Sequence, residues 1–234
     1  MKPLLSIVIP CYNEKLTIIK IIKKINKQKI NKEIIIVDDG SDDGTKELLK
    51  KINRRKYNIN KILFKKKNSG KGSSIRVAQK YINGKYVIIQ DADLEYDPQD
   101  YKKIMDKFKS NSSIQCVYGS RVMGAGKRIR PKKIIFIFTI FANKLLTLIS
   151  NLLNSQNLTD AHTCYKAFRT DIFKKIKLER DGFDFCPEIT SKISNIGIKI
   201  YEVPISYHAR TYEDGKKIKL KDAFYALYTL IINI

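Results

Sequence analysis

The sequence predicts an α/β fold in which a mainly parallel, Rossmann-like sheet is flanked by helices. Between residues 4 and 89, short apolar runs rich in β-branched residues alternate with segments whose apolar residues recur at helical spacing. Strands joined by helices in this way lie parallel and are connected by right-handed crossovers. The runs are continuously apolar, so we expect both faces of the sheet to be covered. At 234 residues the chain is long enough to bury a substantial core.

The first half of the chain supplies four strand–helix units. Strands are predicted at residues 4–10, 33–37, 62–65 and 86–89, and helices at 17–27, 44–52, 73–81 and 101–109. The last helix follows Asp97 and Pro98, and proline is favoured in a first helical turn. Sheets of this kind bind ligands beyond the carboxyl ends of their strands.

Polar residues or glycines follow all four of these strands. They are Tyr12 and Glu14 after the first strand, Asp38 and Asp39 after the second, Gly70, Lys71 and Gly72 after the third, and Asp91 and Asp93 after the fourth. Because parallel strands end at one edge of a sheet, we expect these residues to form one cleft. The first strand has no glycine after it and no P-loop sequence occurs, which excludes both standard nucleotide-binding fingerprints.

Asp91 and Asp93 are the most informative pair in this cleft. In an extended segment residues i and i+2 point the same way, so both carboxylates can aim at one point beyond the strand end. Two hard oxygen ligands suit Mg²⁺ or Mn²⁺, which usually share their coordination with substrate phosphates. The pair therefore predicts a metal-held phosphate ester, and the alternative is ordinary turn or helix-capping chemistry.

The second half of the chain has a less regular pattern. Strands are predicted at 115–119 and 198–203, and helices at 170–176, 182–196 and, as an amphipathic C-terminal helix, 219–234. Residues 124–133 form a basic, glycine-rich loop that can close on phosphate, or that is merely solvated. We expect a single domain over residues 1–218.

The most hydrophobic segment is 134–153. Its length approaches the roughly 20 residues that cross a bilayer, but Asn143 and Lys144 lie at its centre, and charge there costs about 2.5 to 3.5 kcal/mol. We therefore predict one or two interfacial amphipathic helices, with a core helix as the alternative. The basic residues before the segment favour an anionic membrane surface.

The amino-acid composition limits the classes of binding partner and the cellular compartment that we expect for this protein. The formal charge of +23 and pI near 9.8 indicate an anionic partner, whether nucleic acid, anionic lipid or phosphorylated substrate. The four cysteines, with no Cys-x-x-Cys pair, favour buried thiols in a reducing compartment over disulfides or a zinc ribbon. Residues 1–10 are too short and strand-like for a signal peptide, so we expect a cytoplasmic protein.

Several motifs together resemble family 2 glycosyltransferases of the GT-A fold. They are Ser6 to Glu14, Ile36 to Thr45, Gly70-Lys71-Gly72 and Asp91-Ala92-Asp93-Leu94, in that order. Gly119-Ser120-Arg121, Val203 to Arg210 and Gly215-Lys216-Lys217 look like the branch of dolichyl- or polyprenyl-phosphate mannose or glucose synthases. The resemblance spans about residues 4 to 218 and implies a donor half over about 1–120 and an acceptor half over about 121–218.

The resemblance implies a donor site for a nucleoside diphosphate sugar of the GDP-mannose or UDP-glucose type. The implied nucleotide-binding residues are Pro10, Tyr12, Glu14, Val37, Asp39, Lys71, Asp91, Ala92 and Asp93. Asp91 and Asp93 would hold the metal and would be catalytic residues. Glu95 stands where many relatives have glutamine, and it is a further candidate ligand.

On the acceptor side, the resemblance implies a polyprenyl phosphate held by Arg121, Arg130, Arg210 and Lys216, with Arg121 and Arg210 also catalytic. A phosphate oxygen is already anionic at neutral pH and needs no general base. The enzyme would be inverting and peripheral on the inner face of the membrane, without a nucleic-acid partner.

Two alternatives stay open. Thr163-Cys164-Tyr165-Lys166 replaces a Ser-Gly-Phe-Arg type segment of that branch, so the acceptor can instead be a hydroxyl of a cell-envelope glycan or glycolipid, with Asp160, His162 or Glu188 as the base. The second is a basic module that binds membrane or nucleic acid. Against it stand the four carboxylates at one sheet edge.

Overall fold

The computed structural model describes residues 2–124, 128–129, 134–210 and 220–232. Strands and helices alternate through the first half as predicted. The strands are β1 (Leu5–Cys11), β2 (Lys32–Asp38), β3 (Lys61–Phe64), β4 (Tyr86–Ile89), β5 (Cys116–Ser120), β6 (Arg128–Ile129), β7 (Lys166–Arg169), β8 (Ile200–Pro204) and β9 (Tyr207–His208). The helices are α1 (Ile18–Asn26), α2 (Thr45–Lys51), α3 (Lys71–Gln79), α4 (Tyr101–Ser110), α5 (Ile134–Asn154), α6 (Thr170–Lys175), α7 (Phe185–Asn195) and α8 (Leu220–Ile232).

In the described part of the chain, seven strands form one mixed sheet in the order β3-β2-β1-β4-β7-β5-β8. The pairs β1–β2, β1–β4, β2–β3 and β5–β8 are parallel, which confirms the predicted mainly parallel sheet. β7 was not predicted, and it inserts antiparallel between β4 and β5. Its sequence Lys-Ala-Phe-Arg has no continuous apolar run, so no local pattern predicts a strand there. Its pairing with β4 and β5 holds it in the sheet.

The core lies on both faces of this sheet. Along β1, Ile7 and Ile9 pack with α1 and α4 on one face, whereas Val8 packs on the other face with residues of α3 and α7. This alternation follows from the two-residue period of a strand. The covered faces confirm the double-sided burial that the apolar runs predict.

Helix α3 begins two residues earlier than predicted, at Lys71. The backbone N–H groups of Gly72 and Ser73 donate to the carbonyls of Gly182 and Asp181, so a distant loop satisfies the first turn of the helix. The first turn therefore carries Lys71 to the carboxyl edge of the sheet.

Residues 134–154 form one helix, α5, which packs against α7 and α8. Its described apolar residues Phe141, Leu145, Leu148 and Leu152 share one exposed face, with Phe141 67% and Leu152 73% exposed. Phe224, Tyr228 and Ile231 form a similar exposed row on α8. Within the described ranges, neither these helices nor any other combine the length and apolarity needed to span a bilayer. The prediction that α5 and α8 lie in a membrane interface stays a prediction.

Candidate active site

The carboxyl ends of the central strands open into a cavity of about 810 Å³. Most of the sequence-predicted site residues line this one cavity: Pro10, Tyr12, Glu14, Asp39, Lys71, Asp91, Ala92, Asp93, Glu95, Arg121 and Arg210. Val37 does not line the cavity, because its side chain is buried in the core beneath it. Arg130 and Lys216 lie outside the described residues.

Asp91 is paired with Lys71. The ammonium group of Lys71 donates to Asp91, and both side chains are almost buried. Burial opposes the charge of Lys71, but Asp91, together with Cys164 and Cys186, raises its pKa. The ammonium also lies 6.0 Å and 5.8 Å from the ring centres of Phe183 and Phe185. Lys71 is therefore held as a cation at the foot of the cavity.

Asp93 is paired with Arg210. Arg210 Nη2 donates to Asp93 Oδ2 at 2.8 Å and to Glu14 Oε1 at 3.2 Å. Burial and the neighbouring carboxylates of Asp91 and Glu95 raise the pKa of Asp93, and Arg210 opposes the increase. Glu14, Asp93 and Arg210, which are far apart in the sequence, thus form one cluster of paired charges.

Glu95 holds the segment that carries Arg210. It accepts hydrogen bonds from the Tyr207 hydroxyl at 3.0 Å and from the Arg210 backbone N–H at 2.8 Å. The backbone N–H of His208 donates to the Glu95 carbonyl as well. Through both carboxylate oxygens Glu95 therefore positions the segment that carries Arg210.

The residues at this site fit a divalent cation. The described ranges hold no ready cluster of three metal-ligating side chains. Asp91 and Asp93 nevertheless offer hard oxygen atoms to one cavity. Burial, and then the charges of Asp91 and Glu95, raise the pKa of Asp93, and a bound cation would offset this unfavourable negative charge. Lys71 and Arg210 supply the compensating charge in this structure.

Asp39 organises the Gly70-Lys71-Gly72 motif. It accepts from the backbone N–H groups of Ser69 at 3.1 Å and Gly70 at 2.8 Å. A Cβ added at Gly70 would lie 2.3 Å from the Asp181 carbonyl oxygen, and one at Gly72 would lie 2.2 Å from that of Arg180. Close packing against the 180–182 loop therefore requires these glycines, independently of any ligand.

Arg121 and Asp160 form a buried bidentate pair. Arg121 Nε and Nη2 each donate to Asp160 at 2.7 Å, and the Arg121 backbone N–H donates to the same carboxylate at 3.0 Å. Although burial opposes it, Arg121 lowers the pKa of Asp160. This pairing removes Asp160 as a candidate base, and Asp160 fixes Arg121 at the cavity wall.

Glu188 also has its hydrogen-bond and charge partners outside the cavity. It accepts from the backbone N–H groups of Glu179 at 2.6 Å and Arg180 at 3.0 Å, and Lys192 pairs with it at 2.8 Å. Glu188 does not line the cavity. It holds the 179–180 loop on α7 instead of facing substrate.

His162 differs from these two residues. It lines the cavity, and its Nε2 is buried with no hydrogen-bond partner in the described part of the chain. Burial and then Lys166 lower its pKa to about 4. A contact with the Leu146 backbone opposes this decrease only weakly.

Sequence reasoning missed several residues of the cavity wall. Among them, Tyr96 and Phe183 come from separate loops, and no local pattern marks them. The four cysteines are all buried and free, as the composition predicts.

Comparisons with known proteins agree with this architecture. The sequence model of glycosyl transferase family 2 matches residues 6–177. A dolichol-phosphate mannosyltransferase of Pyrococcus furiosus is 27% identical over 221 residues, which cover 90% of this chain and 58% of that protein. The chain thus spans less than two thirds of that relative.

Two solved structures share the fold. Glucosyl-3-phosphoglycerate synthase from Mycobacterium tuberculosis, in complex with Mn²⁺, UDP and glucosyl-3-phosphoglycerate, superposes with a TM-score of 0.70 at 15% identity, covering 99% of this chain and 80% of that one. The mannosyltransferase PcManGT from Pyrobaculum calidifontis, in complex with GDP-Man and Mn²⁺, superposes with a TM-score of 0.62 at 17% sequence identity. The match covers 89% of this chain and 57% of that one. The fold is the GT-A fold, and with the family match over residues 6–177 the chain belongs to glycosyl transferase family 2.

Proposed function

We propose that this glycosyltransferase is inverting and metal-dependent, and that it moves glucose or mannose from a nucleoside diphosphate sugar to a polyprenyl or dolichyl phosphate. We place it at the cytoplasmic face of the membrane. The observation that carries the proposal is the convergence of Asp91 and Asp93 with Pro10, Tyr12 and Asp39 on one cavity. The solved neighbours bound to UDP or GDP-Man together with Mn²⁺ support a donor of this class.

On the donor side, Asp91 and Asp93 would hold the cation. A divalent cation at that position supplies Lewis-acid stabilisation of the diphosphate leaving group. Lys71 and Arg210 pair with the two aspartates in this structure, so the cation would take their place beside the carboxylates. Tyr12 and Asp39 line the part of the cavity in which we place the nucleoside.

On the acceptor side, the proposal depends on α5. A smaller cavity lined by Arg121, Asn143, Lys144 and Thr147 adjoins the main one, and both share Arg121. The exposed apolar row of α5 suits a lipid surface, and the net charge of +23 suits anionic headgroups. A lipid phosphate beside Arg121 would attack the anomeric carbon directly, since its oxygen is already anionic.

A turnover assay tests this proposal. Purified protein is given UDP-glucose or GDP-mannose with polyprenyl phosphate in anionic vesicles, in the presence of Mn²⁺, Mg²⁺ or EDTA. We expect turnover with one donor and a metal, and a loss of at least about 100-fold in Asp91→Asn and Asp93→Asn, because charge stabilisation of this kind contributes several kcal/mol. Asp106→Asn, which alters an exposed carboxylate on α4, is the control. Full turnover in EDTA or in either site variant would overturn the metal mechanism.

His162 supports a second candidate, a hydroxyl acceptor on a glycan or glycolipid. A hydroxyl must lose a proton as it attacks, and His162, which lines the cavity and whose Nε2 has no hydrogen-bond partner among the described residues, would accept it. Asp160 and Glu188 are occupied by Arg121 and Lys192. If the acceptor is a hydroxyl, His162→Ala lowers turnover by about 10²- to 10⁴-fold. If it is a lipid phosphate, the same variant keeps most of its turnover.

A further inference from the structure

Two thiols that the proposed reaction does not use lie side by side at the cavity. Cys164 stands two residues before β7, and Cys186 is the second residue of α7. Cys186 Sγ lies 3.8 Å from the carbonyl oxygen of Thr163, the residue before Cys164, and the two thiols interact electrostatically. They are 8% and 4% exposed, and Cys164 lines the cavity. A small solute in the cavity therefore meets the Cys164 thiol, which interacts with that of Cys186.

The surroundings of the pair favour a thiolate. Cys186 lies in the first turn of an 11-residue helix, where the helix dipole stabilises negative charge. Burial opposes ionisation, but the interaction with Cys164, followed by Lys166 and Lys71, lowers the pKa of Cys186. Cys116 in the core shows the contrast, because burial raises its pKa.

We propose that Cys164 and Cys186 form a redox-modification site that a small hydroperoxide converts into a disulfide. The thiolate attacks the peroxide oxygen, the O–O bond breaks, and water or an alcohol leaves, so that a sulfenic acid forms. The sulfur of the second cysteine then displaces the hydroxyl group as water and forms the S–S bond. The two thiols lose two electrons and two protons in all, and the peroxide takes them up.

The disulfide would act on the cavity through α7. It ties the segment before β7 to the first turn of α7, which carries Phe185 against Lys71 and follows Phe183 on the cavity wall. It also removes the thiolate that, with Asp91, supports the charge of Lys71. We expect oxidation to weaken nucleoside diphosphate binding at least threefold, and dithiothreitol to restore it. This expectation rests on the proposed donor site.

Mass spectrometry of the full chain tests the site without any substrate. After treatment with tert-butyl hydroperoxide, we expect the protein to lose the mass of two hydrogens, and a protease digest to contain the peptide pair linked through Cys164 and Cys186. Cys164→Ser should stop at a sulfenic acid on Cys186 that a dimedone probe traps, whereas Cys116→Ser should still form the disulfide. Absence of the linked peptide from oxidised wild-type protein, or an equally fast linkage through Cys11, would overturn the proposal.

Calorimetry with UDP and GDP on the reduced and oxidised protein tests the consequence for binding. A linked peptide with equal affinity in both states would show that the disulfide does not act on the cavity, and would overturn that part. A reduced protein that binds neither nucleotide would contradict the proposed donor site, while the linked peptide would still establish the redox site.

Discussion

Arg210 Nη2 lies 2.8 Å from Asp93 Oδ2, although the two residues are 117 positions apart in the sequence. Arg210 thus supplies a counter-charge to an aspartate that follows β4. Lys71 does the same for Asp91 from the first turn of α3. Each of the two proposed metal ligands therefore has its own protein cation. A divalent cation that binds here must compete with both.

The first prediction concerns this competition. Replacing Arg210 with alanine removes the counter-charge of Asp93, so Mn²⁺ should bind the substrate-free protein about tenfold more tightly, which corresponds to about 1.4 kcal/mol. Isothermal titration calorimetry measures the change. Arg169→Ala, which breaks an exposed pair with Asp171, is the matched control and should leave the affinity unchanged. An unchanged or weaker affinity in Arg210→Ala would show that Arg210 does not compete with the metal.

The second prediction concerns the buried pair of Arg121 and Asp160. Asp160→Asn leaves the Arg121 guanidinium buried without its charge partner, so the free energy of unfolding should fall by about 3 to 5 kcal/mol. Asp171→Asn breaks the exposed pair with Arg169 and should cost about 0 to 1 kcal/mol. Urea denaturation of both variants measures the difference. Equal losses would mean that the buried pair adds nothing beyond a surface contact.

The third prediction concerns Gly72. A Cβ at this position would lie 2.2 Å from the Arg180 carbonyl oxygen and 2.9 Å from the Phe185 Cβ, so Gly72→Ala should destabilise the protein by about 3 kcal/mol. A Cβ at Gly197 would have no atom within 4 Å, so Gly197→Ala adds only the backbone strain of a φ of +75°. We expect it to lower the free energy of unfolding by about 1 to 2 kcal/mol. Chemical denaturation of the pair is the measurement. A Gly72→Ala protein as stable as the wild type would show that the 180–182 loop moves aside.

The fourth prediction concerns pH and His162. The folded protein lowers the pKa of His162 from 6.5 to about 4, because burial and the cations Lys166 and Arg121 outweigh Asp160. The folded state therefore binds the proton less tightly than the unfolded chain. Its stabilisation from neutral His162 is fully present above pH 6.5 and is lost as the pH falls toward 4, by roughly 2 to 3 kcal/mol.

Denaturation at a series of pH values between 7 and 4 measures this slope. His162→Gln should flatten the curve in that window by the predicted amount. His208→Gln, which changes an exposed histidine of β9, is the control variant. A variant curve parallel to that of the wild type would contradict a neutral, buried His162.

The strands and the cleft could be predicted because their signals are local. Continuous apolar runs fix β1, β2 and β4, and the residues that directly follow a parallel strand must lie at its carboxyl end. Asp91 and Asp93 were found in this way, and both line the cavity. β7 escaped prediction because four residues with a charge at each end look like a loop until β4 and β5 are present on either side.

The sequence by itself determined the family, the alternation of the central strands and helices, and the carboxylates of the cleft, since each rests on motifs whose residues are close together in the chain. The tertiary structure decided which partner each site residue has. It paired Asp93 with Arg210, paired Asp160 with Arg121 and Glu188 with Lys192, and bonded Glu95 to Tyr207. It also buried His162 Nε2 without a hydrogen-bond partner among the described residues. These contacts join segments far apart in sequence, and the free energy of a buried charge depends on the neighbours that folding brings to it.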